Sequence, residues 1–149
     1  MPEEIISEEQ SAINTPLTRI LYAEDEPDIQ IVVQIPLQAA GFTLEICNSG
    51  QEALQKAATF KADLILLDVM MPGMDGPATL KELRRNPETL HTPVIFMTAK
   101  TQKKEIDEYK KLGSLEVITK PFDPMTLTIT LKRIWEDSFK TKPEETHSS

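Results

Sequence analysis

Five short apolar runs punctuate an otherwise polar chain: RILYA (19–23), TLEIC (43–47), LILLD (64–68), PVIFMT (93–98) and EVIT (116–119). Their length and β-branched content predict strands. Between and after them lie segments with apolar residues at helical spacing, at 27–41, 50–58, 76–86, 103–113 and 123–139. Strict alternation of strand and helix predicts an α/β fold, an open parallel sheet with helices on both faces. Right-handed crossovers of this length make it doubly wound.

Two helices carry local conflicts. Pro36 lies inside the first, where it removes a hydrogen bond and is expected to kink the helix. TLTITL (126–131) alternates like a strand. Yet Asp123 is a good N-cap, Pro124 suits the first helical position, and Leu127, Leu131, Ile134 and Trp135 form a helical stripe. Helix is the reading adopted. The flanks, an acidic segment over 1–18 and residues 140–149, are polar and punctuated by proline, so they read as tails on a domain spanning 19–139. No internal repeat is present.

The 149 residues suffice for one domain with a full core. No apolar run approaches the ~20 residues of a membrane span. The acidic start lacks the basic and apolar regions of a signal peptide. A single cysteine, Cys47, excludes an internal disulfide and fits a reducing cytoplasm. Net charge is −8, which disfavours sequence-independent binding to nucleic acid or to an anionic membrane.

In an open α/β sheet, sites form beyond the carboxyl ends of the strands. Here those ends carry Glu24-Asp25, Asp68, Thr98 and Lys120. If the strands are neighbours, three carboxylates, a hydroxyl and an ammonium share one cleft. Two carboxylates ~4 Å apart repel by about 4 kcal/mol at an effective dielectric of 20. Either a proton is taken up or a cation binds. Hard oxygen ligands suit Mg²⁺, with Mn²⁺ as the alternative. Such an ion bridges carboxylates to phosphoryl oxygens, so Asp68 could attack phosphorus and become an aspartyl phosphate. Metal, Thr98 and Lys120 would then neutralise the phosphoryl oxygens.

ILYAEDEPD, LILLDVMMPGMDG, PVIFMTAK and VITKPFDPMTL, in this order and spacing, resemble the receiver domain of two-component response regulators over roughly residues 19–138. The resemblance implies the flavodoxin-like, CheY-like sheet of order 2-1-3-4-5. It implies that Asp68 is the phosphoacceptor. Glu24, Asp25 and the backbone carbonyl of Met70 would hold Mg²⁺, Thr98 would be the switch hydroxyl, and Lys120, before a cis Pro121, would pair with the phosphoryl group. The implied partners are a sensor histidine kinase or a histidine phosphotransfer protein, and a downstream protein target. The protein itself would be a monomer or a phosphorylation-dependent dimer. Because only a short segment follows residue 139, a stand-alone receiver or a phosphoryl shuttle is expected.

Several positions depart from the family's pattern. Val117 stands where an aromatic is usual, so rotation of such a ring behind Thr98 is unavailable. Glu24 stands where Asp is commoner, which suggests that it reaches metal through water. Met70 cannot orient an attacking water, and a charged Lys100 is a poor base. Slow hydrolysis of the phosphoprotein is therefore expected.

Competing readings are weaker. A Mg²⁺-dependent phosphohydrolase of the haloacid dehalogenase type needs a second acid at position 70, where Met70 stands. A nucleotide or flavin site needs bare backbone N–H groups after the first strand, and AEDEPD is acidic. A degenerate receiver would not keep Glu24, Asp25, Asp68, Thr98 and Lys120 together. Cys47, Trp135 and Tyr109 read as packing residues. Lys100, Lys103, Lys104, Lys110 and Lys111 read as a solvated basic face, and His91 and His147 lie away from the cleft.

Overall fold

The computed structural model describes residues 15–99 and 102–140. Each apolar run forms a strand: β1 Arg19–Ala23, β2 Thr43–Cys47, β3 Leu64–Asp68, β4 Val94–Thr98 and β5 Glu116–Thr119. They build one parallel sheet in the order β2-β1-β3-β4-β5, as expected. The helices are α1 Pro27–Ala39, α2 Gly50–Phe60, α3 Gly76–Leu83, α4 Lys103–Lys111 and α5 Pro124–Lys140. Pairing of Ala23 with Cys47 and Leu67, Asp68 with Met97, and Thr98 with Thr119 keeps the carboxyl ends of all strands nearly level. Among the described residues no helix is long and apolar enough to cross a membrane.

Every residue of β3 and β4 is buried. Alternate residues therefore feed two cores, one on each face of the sheet. On the first face Ile20, Tyr22, Leu64, Leu66, Ile95 and Met97 pack against α1 and α5. On the second Leu21, Ile65, Leu67 and Phe96 pack against Ala53 and Ala57 of α2 and Leu80 and Leu83 of α3. The helix α4 has no buried residue and meets this second core through half-buried Tyr109.

The conflict over TLTITL resolves in favour of helix. Asp123 Oδ1 accepts from the Met125 N–H at 2.9 Å, the expected cap. Leu127, Leu131 and Trp135 are buried. Each such burial contributes about 1.5–3 kcal/mol, whereas Thr or Ile in a helix costs at most about 0.7 kcal/mol. The helix α1 runs three residues past Pro36.

The packed chain begins before the expected tail boundary at residue 18. Leu17 is buried in the first core, the Trp135 indole donates to the Thr15 carbonyl at 2.6 Å, and Thr18 donates through its N–H and its hydroxyl to Asp63. One leucine in a polar stretch carries too little periodicity to signal this from sequence. Residues 1–14 and 141–149, most of both expected tails, lie outside the described residues.

The start of α3 presses on the end of β3. The Gly76 N–H donates to the Val69 carbonyl at 2.9 Å, and a Cβ at Gly76 would lie 2.8 Å from the Asp68 carbonyl oxygen. Gly76→Ala is expected to cost about 1–3 kcal/mol, as overpacking does. A lower urea midpoint with unchanged slope is the measurable sign. Cys47 closes β2 in the core, where burial foremost, then Glu52, pushes its thiol up to about 12. At pH 8 iodoacetamide is expected to leave the folded protein unmodified, and to label Cys47 once urea unfolds it.

Candidate functional site

Two carboxylates follow β1, one ends β3 and one ammonium follows β5. The level strand ends bring them together: oxygens of Glu24, Asp25 and Asp68 all lie within 4.8 Å of one another. Lys120 is fixed from behind by its N–H donating to the Thr98 carbonyl at 2.8 Å, and its bond to Pro121 is cis. Its Nζ donates to Glu24 Oε1 and to Asp68 Oδ1, both at 2.9 Å.

Glu24 is fully buried. A buried carboxylate is stable only when its lone pairs are occupied. Besides Lys120, Oε1 accepts from the Tyr22 phenol at 3.3 Å, and Oε2 from the Glu26 N–H at 3.2 Å. Tyr22 and Glu24 lie two residues apart on the same side of the strand, a period-2 relation visible in the sequence once Glu24 is suspected of burial. Gln30 of α1 donates to the Glu24 carbonyl and to Asn48, tying the loop after β1 to the loop after β2. Sequence reasoning missed Tyr22, Gln30 and Asn48.

Three carboxylates against one ammonium leave the pocket two negative charges in excess, the charge of one divalent cation. Burial foremost holds the Asp68 carboxyl above the usual carboxylate range; the Lys120 hydrogen bond opposes this, and Glu24 and Asp25 add to it. For Lys120 burial alone would lower the ammonium, but its hydrogen bonds to Asp68 and Glu24 outweigh that and hold it above its usual range. The donor set is oxygen only and Asp25 stays partly open to solvent, which fits a hard cation that keeps some water.

The remaining expectations divide. Met70 follows β3 and is 64% exposed, and its side chain offers no acid or hydrogen-bonding group toward Asp68. Thr98 is buried at the end of β4. Tyr109 packs, as expected, meeting the Phe96 ring edge-on with centroids 5.3 Å apart. Its helix is otherwise solvated and basic, with Lys103 paired to Asp107 and Lys110 to Glu116. His91 is exposed and apart from the acidic cluster. Lys100 and His147 lie outside the described residues.

A family model, response regulator receiver domain, matches residues 20–132. The alkaline phosphatase synthesis transcriptional regulatory protein PhoP of Bacillus subtilis is 37% identical over 116 residues, 78% of this chain and 48% of its own. The regulatory protein AtoC of Escherichia coli is 35% identical over 119 residues, 80% of this chain and 25% of its own. The chain thus matches half or less of the length of these relatives. The chemotaxis response regulator CheY4 of Vibrio cholerae superposes with a TM-score of 0.75 at 34% identity, covering 80% of this chain and 99% of that one. The Francisella response regulator 1452 receiver domain does so with a TM-score of 0.73 at 30% identity, covering 81% and 98%. Motifs, sheet order, acidic pocket and family match agree: the chain belongs to the receiver domain family of two-component response regulators.

Proposed function

We propose that the chain is a single-domain response regulator that takes a phosphoryl group from phosphohistidine onto Asp68 and thereby switches its contacts with other proteins. The observation that carries this reading is Lys120, held between Asp68 and the buried Glu24 at 2.9 Å from each, beside the partly open Asp25. A carboxylate so placed is a nucleophile whose product charge already has a counter-ion.

An Asp68 oxygen attacks phosphorus, the phosphorus–nitrogen bond to the donor imidazole breaks, and that nitrogen takes a proton from solvent. The product is an acyl phosphate. Lys120 turns from the carboxylate to a phosphoryl oxygen while Glu24 keeps its ammonium in place, and Thr98 supplies its hydroxyl to another. Glu24, Asp25, Asp68 and the Met70 carbonyl would hold Mg²⁺, or Mn²⁺, which when bound supplies charge neutralisation at the phosphoryl oxygens.

A donor protein needs a landing surface beside this pocket. The helices α1 and α5 start shortly after Asp25 and Lys120, and they expose Ile31, Ile35, Met125 and Ile129, with Met125 85% open. Clustered exposed apolar residues mark interaction sites, and the occupant we assign is a helix of a sensor histidine kinase or histidine phosphotransfer protein. The stand-alone role draws support from CheY4, whose chain is matched almost throughout. Residues 19–139 would be the working domain, with 1–18 and 140–149 flanking it. The acidic chain would act in the cytoplasm through proteins rather than nucleic acid or membrane, as a monomer or a phosphorylation-dependent dimer. It would not turn over external substrates, since Met70 supplies no acid.

Incubation with Mg²⁺ and acetyl phosphate is expected to add one phosphoryl mass to the protein and none to Asp68→Asn; equal labelling of both would overturn the assignment. Met70→Asn gives the pocket an amide able to orient water, a contact on the scale of one hydrogen bond. Decay of the adduct, followed by intact mass, is expected to quicken about fivefold.

A further inference from the structure

We infer that Gln30 of α1 is the positioning residue for Asp25, and that a run of side-chain amides from Gln30 through Asn48 to the first turn of α2 sets how tightly the acidic pocket holds its cation. The inference rests on the reading of Glu24, Asp25 and Asp68 as a metal site.

Asp25 is the half-buried member of that cluster. The Glu24 carboxylate is held by Lys120, by the Tyr22 phenol and by the Glu26 N–H. Among the described residues no side-chain hydrogen bond or ion pair holds the Asp25 carboxylate, so its direction follows from the backbone that carries it. That backbone is gripped one residue earlier. The Glu24 N–H donates to the Cys47 carbonyl at 3.0 Å, and the Glu24 carbonyl accepts from the Gln30 amide. This carbonyl shares one rigid peptide plane with the Asp25 N–H. Holding it fixes the plane from which the Asp25 side chain departs.

Gln30 is held in turn. Its Nε2 carries two hydrogens, and it donates also to Asn48 Oδ1 at 2.8 Å. Asn48 donates to Glu52 Oε1 twice, through its backbone N–H at 2.6 Å and through Nδ2 at 3.3 Å. Glu52 sits in the first turn of α2, where its N–H donates to Ser49 Oγ and its carboxylate pairs with Lys56 at 3.2 Å. The two ends fix the sense of the run. A carbonyl and a carboxylate can only accept, so turning either amide over would set like groups against each other. A hard cation is held through the geometry of its oxygen ligands, and groups that orient those ligands tune its affinity.

Gln30→Met keeps the length and the helix propensity of the side chain and removes its donors. The Mg²⁺ dissociation constant, read from amide NMR shifts during titration, is expected to rise about fivefold, the scale of one neutral hydrogen bond. Asn48→Ala is expected to raise it less, and to add nothing on top of Gln30→Met, because both act along one run. Labelling of Gln30→Met by acetyl phosphate is expected to be slow at low Mg²⁺ and to match wild type at saturating Mg²⁺, a split that lost fold stability does not produce. The urea midpoint reads that stability separately. Asn48 is exposed, so Asn48→Ala carries the test if Gln30→Met does not fold. Wild-type affinity in either folded variant, a further loss in the double variant, or labelling still slow at saturating Mg²⁺ overturns the inference and leaves the metal reading standing. Wild-type shifts that do not respond to Mg²⁺ overturn both.

Discussion

One ammonium holds the pocket together. Lys120 comes from the far side of the sheet, 96 and 52 positions along the chain from its partners Glu24 and Asp68, and its Nζ meets both at 2.9 Å. Without that cation a fully buried glutamate would stand beside two further carboxylates. An uncompensated buried charge costs several kcal/mol, on the order of the net stability of a small domain. The rest of the site can be seen as what this cation requires. Tyr22 and the Glu26 N–H satisfy the other lone pairs of Glu24, and the Lys120 N–H is pinned to β4.

That arrangement depends in turn on strand ends that finish level. Parallel registry through β1, β3, β4 and β5 sets Asp68 and Thr98 within a residue or two of the same height, and Lys120 just above. Gly76 lets the next helix start hard against the Asp68 carbonyl, so the strand end is capped rather than frayed. The geometry of the site is thus inherited from the sheet, and side-chain choice has only to fill it.

Strands, their parallel alternation with helices, and the convergence of Glu24, Asp25, Asp68 and Lys120 were legible because each rests on local pattern plus the rule that sites form at strand carboxyl ends. The sheet order was legible only through the motifs. Three things were hidden, each for the same physical reason: they depend on contacts between elements far apart in the chain. Leu17 enters the core from a stretch that reads as tail. Tyr22 turns out to serve Glu24 because Glu24 is wholly enclosed, which period alone does not tell. Gln30 ties the loop after β1 to Asn48 in the loop after β2, a link that no local pattern marks.

The two faces of the sheet are unequally furnished. On one, α1 and α5 are nailed down by Val33, Leu37, Leu127, Leu131 and Trp135. On the other, beyond α2 and α3, α4 rests on the rim without a single buried residue. The molecule therefore has a stiff flank and a compliant one. The stiff flank carries the apolar surface beside the pocket, where docking needs a fixed shape that costs little ordering. The compliant flank carries α4, whose local opening breaks few buried apolar contacts. On the proposed function, docking thus falls to the side that is packed more firmly.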